Sequence, residues 1–102
     1  MNSYLLVGRI LSDPVLKETA SGIRYTPLLV DVRKEFRNVN GSFDSDVFQI
    51  MLWKTLAEEA LEKARKDGLV CIKGRLQASN YVKDGEVHYH GDLVGERVEY
   101  IN

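Results

Sequence analysis

The chain holds a single cysteine, Cys71, so no internal disulfide can form and a reducing compartment is expected. Set in Leu69-Val70-Cys71-Ile72, its thiol reads as a structural part of a strand. No apolar run approaches the roughly 20 residues of a membrane span. No charged-then-apolar leader precedes Tyr4, so the expected location is the cytoplasm, with no membrane partner. Positive charge is not in excess. Fourteen Lys and Arg against 15 Asp and Glu leave a net charge of −1, so a site for a polyanion must come from local clustering. Catalytic groupings are missing as well: no Ser-His-Asp order, activated cysteine, Gly-rich phosphate loop or close carboxylate pair with a base is present. Enzymatic activity is not expected. His88, His90 and Asp92 share one face of the predicted last strand, which falls short of three supported ligands in a pocket. Neither a metal nor another cofactor is expected.

What is present suffices for one domain over residues 1–102. Hydrophobic residues at 44% and charged residues at 28% fit a globular chain able to bury a core without metal or disulfide support. Tyr4 to Leu11 is rich in strand formers, Asp13-Pro14 interrupts it, and Val15 to Thr19 resumes a short strand before the turn at Ser21-Gly22. From Ile23 to Phe36, Leu28, Val30 and Val32 alternate with Leu29, Asp31 and Arg33, the period of a half-buried strand. Pro27 marks an edge or a bulge in it. Asn40-Gly41 predicts a hairpin turn into Ser45 to Trp53, where Phe48, Ile50 and Leu52 oppose Val47, Gln49, Met51 and Trp53. Both faces of that strand are partly apolar, which suggests cover by another subunit.

Thr55-Leu56-Ala57-Glu58 has the form of a capping box and predicts a helix. Leu56, Ala57, Ala60, Leu61 and Ala64 form its apolar stripe, and Gly68 is the expected stop. Leu69 to Gln77 alternates again, Lys83-Asp84-Gly85-Glu86 turns the chain, and a last strand is expected over Val87 to Ile101. Gly8 and Gly74, isolated in strands, indicate close backbone packing. The order is β-β-β-α-β-β. It predicts an all-β fold, a five-stranded Greek-key OB-fold barrel with one helix between strands three and four, a frequent carrier of oligonucleotide sites.

Four aromatics, Phe36, Phe48, Trp53 and Tyr81, lie on or beside these strands, three of them near basic residues. A flat ring offers any base the same π-face, worth about 1–3 kcal/mol per stacked base, while Lys and Arg follow the phosphates. Arg33, Lys34 and Arg37 lead into the hairpin loop, and Arg9, Lys54, Lys73 and Arg75 are further candidates for phosphate contact. Tyr81 follows the polar stretch Gln77-Ala78-Ser79-Asn80, a poor setting for a buried ring. Phe48 has a second reading as a core ring, because it shares parity with Ile50 and Leu52.

Leu6-Val7-Gly8-Arg9-Ile10, Asp13-Pro14, Ser21-Gly22, Leu52-Trp53-Lys54-Thr55-Leu56-Ala57-Glu58 and Lys73-Gly74-Arg75-Leu76-Gln77 resemble, in order and spacing, the bacterial single-stranded DNA-binding proteins. The resemblance runs from Tyr4 to about Ile101. It implies non-catalytic, largely sequence-independent binding of single-stranded DNA at the nucleoid, in replication, repair or recombination. It also implies that Phe36, Phe48, Trp53 and Tyr81 stack on bases, and that barrels assemble as a homotetramer, with a homodimer next. Two departures stand out. Gln77 to Asn80 carries no base where relatives commonly place arginine, which predicts weaker binding with a shallower salt dependence. The sequence ends at Asn102, without the linker and acidic tip that recruit replication and repair proteins in the family, so any such partner is expected to dock elsewhere. The alternative reading is an OB-fold protein-interaction or primosome-type accessory module with weak nucleic-acid binding.

Overall fold

Alternation of apolar and polar residues builds five long strands that close on themselves. In a computed structural model describing residues 1–101, β1 is Tyr4–Ile10, β2 Lys17–Glu18, β3 Arg24–Arg37, β4 Phe43–Trp53, α1 Thr55–Lys63, β5 Leu69–Ala78, β6 Tyr81–Lys83, β7 Glu86–His88 and β8 Gly91–Ile101. The main sheet runs β1-β5-β8-β4-β3-β2, and β1 pairs a second time with β3 at Arg9↔Asp31 and Ile10↔Val30. That second pairing closes a five-stranded barrel. All its ladders are antiparallel except the short contact of β4 with β8, Ile50↔Leu93 and Met51↔Val94. The long strands β1, β3, β4, β5 and β8, with the helix between the third and fourth of them, have the predicted OB-fold order.

Inward residues meet in one core: Ile10, Leu28, Val30, Ile50, Leu52, Val70 and Ile72 are buried, joined by Ala60 of α1 and by Ala64, which directly follows the helix. Each such aliphatic side chain contributes about 1.5–3 kcal/mol by leaving water. Closure needs strands to approach where a side chain would not fit. A Cβ on Gly8 would run into the Asp31 backbone carbonyl, and one on Gly74 into that of Val94. Glycine at those two positions lets β1 meet β3 and β5 meet β8. Pro27 lies where the edge of β3 is bare, between its β2 partners, which end at Tyr25, and its β1 partners, which begin at Val30.

Three local expectations are corrected. The capping box does not form: the N-cap is Lys54, at φ 54° and ψ −122°, with no side-chain cap. Because β4 passes directly into the helix, the junction falls on Lys54 and Thr55 is already helical, so its hydroxyl is one residue too late to cap. The Ala57 and Glu58 amides donate instead to the Lys54 carbonyl at 3.0 and 3.1 Å, and the Glu58 carboxylate turns outward to Arg24 at 3.0 Å. The helix also stops before Gly68. Ala64 is already extended, and the end of β1 holds the following loop through Asp67 N–H to the Ile10 carbonyl at 2.7 Å and Ile10 N–H to the Gly68 carbonyl at 2.9 Å.

Finally, the expected last strand is broken. Asp84 and Gly85, at φ 52° and 78°, form a tight turn that folds β6 on β7 as a separate hairpin, and β8 begins afresh at Gly91. His88, His90 and Asp92 are thereby divided among β7, the following loop and β8. Among the described residues no helix is long and apolar enough to cross a membrane.

Candidate nucleic-acid interface

The register of β3 on β4 decides which side chains share a surface. Thr26, Leu28 and Val30 pair with Leu52, Ile50 and Phe48 toward the core, so the alternate pairs Tyr25↔Trp53, Pro27↔Met51, Leu29↔Gln49, Asp31↔Val47 and Arg33↔Ser45 face outward. At one end of this face the Tyr25 and Trp53 rings lie 5.0 Å apart, tilted by 33°. Both are half-buried, which fixes their orientation while leaving apolar surface to solvent. Lys54, exposed, follows directly in sequence.

At the other end the ladder slips between Arg33 and Arg37, so that both arginines flank Phe43, the partner of Arg37. Their guanidinium carbons sit 4.5 and 4.7 Å from the Phe43 ring centroid. Such cation–π contacts hold two cations side by side against their mutual repulsion. Arg37 also donates to the Gly41 carbonyl at 2.9 Å. Among the described residues neither guanidinium meets a carboxylate, so both charges remain free for phosphate. Beside them Arg9 enters from β1, anchored to the Asp67 carbonyl at 3.0 Å. Arg9, Arg33, Asp31, Phe43, Val7 and Leu69 line a groove of about 470 Å³.

The remaining candidates are scattered. Lys34 is tied to Asp46 at 3.4 Å and Arg75 to Glu96 at 3.6 Å. Lys73 lies on β5, between β1 and β8, and not on the β3–β4 wall. Phe36 is 81% exposed near the loop end of β3, and Tyr81 is 52% exposed on the β6–β7 hairpin. Phe48 differs from the other three rings. Opposite Val30 and in phase with Ile50 and Leu52, it packs against the core cluster, the second of the two readings its sequence position allows. The four aromatics therefore do not form one plane.

The whole described chain, residues 1–101, matches the sequence profile of the Single-strand binding protein family. The chain belongs to that family. It is 32% identical over 102 residues to Single-stranded DNA-binding protein 3 of Listeria innocua, covering 99% of this chain and 64% of the relative. It is 34% identical over 88 residues to Single-stranded DNA-binding protein 1 of Streptococcus pyogenes, covering 86% and 67%, and 31% identical over 102 residues to the Single-stranded DNA-binding protein of Bacillus cereus, covering 99% and 60%. The chain thus spans 60% to 67% of the length of these relatives.

In this member of the single-strand binding family, two residues of the candidate face, Tyr25 and Phe43, are ones that the sequence pattern does not reveal. Tyr25 became visible only through its pairing with Trp53, a contact 28 positions distant that depends on strand register. Phe43 follows the Asn40-Gly41 turn, where it reads as a hairpin end; its ring matters because the register slip brings Arg33 and Arg37 over it. The turn itself was a usable signal, since a slipped hairpin places residues on either side of it face to face.

Proposed function

We propose that this chain binds single-stranded DNA, largely without regard to sequence and without catalysing a reaction, in replication, repair or recombination at the bacterial nucleoid. The observation that carries this reading is the outer face of β3 and β4, with a pair of aromatic rings at one end and two unpaired guanidiniums on a third ring at the other. Bases stack on Trp53 and Tyr25, phosphates pass Arg33, Arg37 and Arg9, and Phe36 and Tyr81 extend the contact beyond the barrel wall. Lys54 supplies a cation beside Trp53. Lys34, Lys73 and Arg75 add to the local field from outside this path, two of them already engaged by carboxylates.

The edge of β1 supports a reading of the assembly as well. That strand pairs with β5 along Tyr4–Arg9, whereas β3 meets its other edge only at Arg9 and Ile10. Among the described residues the edge from Tyr4 to Val7 has no strand partner, with Leu5 68% and Val7 52% exposed beside it. Two copies pairing these edges antiparallel make an isologous dimer, and two such dimers a homotetramer around which one strand can wrap.

Light scattering of the protein alone and with a long oligo-dT tests both parts. The expected result is a tetramer that gains mass as the strand is bound, with the gain reduced at high salt. A mass unchanged by oligo-dT at low salt would overturn the reading.

A further inference from the structure

The β6–β7 hairpin carries an arrangement that the barrel does not explain. Tyr81 and His88 are direct cross-strand partners, and their rings lie 4.9 Å apart at an interplanar angle of 7°. The hairpin forms its own two-stranded sheet and is joined to the barrel through the end of the β5–β8 ribbon, with Ser79 N–H donating to the His90 carbonyl at 2.8 Å and His90 N–H to Asn80 Oδ1 at 3.2 Å. Three residues a side make a marginal hairpin in water, so cross-strand pairs weigh heavily in ordering it. One face of the hairpin presents Tyr81, His88, Lys83 and Glu86, the other Val82 and Val87.

We propose that His88 is a positioning residue for base stacking: its imidazole backs one face of Tyr81, fixes the phenol ring, and leaves the opposite face to receive a single unpaired base. The inference rests on the DNA-binding reading above. Among the described residues His88 is the only ring in contact with Tyr81, and Tyr81 is still 52% exposed, so one face is covered and surface remains for a ligand. A ring held in place before binding loses less side-chain freedom when the base arrives. The product is a three-layer stack of base, phenol and imidazole, with the Lys83 ammonium on the same face for the adjoining phosphate.

The test measures oligo-dT affinity at low salt for the wild type, H88A, H88F and H88V, and for Y81A with and without H88A. His88→Ala is expected to weaken binding about two- to tenfold. His88→Phe should restore wild-type affinity, since it returns a flat ring. His88→Val should not, although valine is a good strand former and keeps the hairpin paired. In the Y81A background H88A should have no further effect. Wild-type affinity in H88A, equal rescue by phenylalanine and valine, or a full additional loss from H88A in Y81A would each overturn the inference while leaving DNA binding intact. A wild-type protein that fails to bind would instead overturn the functional reading, and this inference with it.

Discussion

Tyr25 and Trp53, partners across β3 and β4, hold their rings 5.0 Å apart on the outer wall of the barrel. Neither ring is free to turn without disturbing the other, so in the proposed complex a base at Trp53 would meet a platform already set. Replacing Trp53 by alanine should cost about 1–3 kcal/mol of oligo-dT binding. Tyr25→Ala should weaken binding by less, and the two losses should fall short of additive, because each ring orients the other. Fluorescence anisotropy of a labelled strand reads all three values.

Phe43 makes a different contribution, since its ring is occupied by Arg33 and Arg37. Arginine-to-alanine substitution at either position should lower the slope of log affinity against log salt by about 0.7 for each phosphate that is no longer neutralised. Phe43→Leu keeps the apolar bulk but removes the π-face. It should weaken binding at low salt while both charges remain, and a titration at several salt concentrations separates these outcomes.

In the proposed assembly the edge of β1 is the contact between copies. Val7→Asp places a carboxylate on the exposed face of the Tyr4–Val7 edge without touching the core. Light scattering should then show loss of the tetramer while circular dichroism remains that of the folded barrel.

Alkaline pH should destabilise the fold through two tyrosines. Burial, assisted by Glu96, pushes the Tyr4 hydroxyl up to about 12 from 10.0, and burial with Glu59 does the same to Tyr100. Both groups hold their protons more tightly in the folded chain. Their contribution is therefore complete below pH 10 and declines as pH rises from 10.0 toward about 12. Tyr4 donates to the Val94 carbonyl at 3.0 Å, whereas the buried Tyr100 hydroxyl has no hydrogen-bond partner among the described residues. Tyr100→Phe should accordingly be neutral or stabilising at pH 7 and should flatten the alkaline decline, as measured by urea denaturation at successive pH values.

Much of the barrel was legible because strand alternation is local: the phases of Leu28–Val30–Val32 and Ile50–Leu52 identify the core side without knowledge of any partner. Gly8 and Gly74 were read as points of close approach for the same reason, and the Asp31 and Val94 carbonyls now account for both. Contacts made at long range were less visible. The Tyr25–Trp53 pair needs the register, the Arg33–Phe43–Arg37 group needs the slip in it, and the Tyr81–His88 stack needs the break that turns one expected strand into β7 and β8. The capping box at Thr55 failed because a sequence pattern cannot show that β4 runs straight into the helix and moves the cap to Lys54.

Trp53 is the only tryptophan, so its emission reports on the proposed platform without interference. Titration with oligo-dT at low salt should quench it to a saturating limit, with the midpoint moving to higher strand concentration as salt is added. Emission that stays constant up to about 100 µM strand, the weak limit of non-specific binding, would contradict stacking at Trp53 and with it the account of this face.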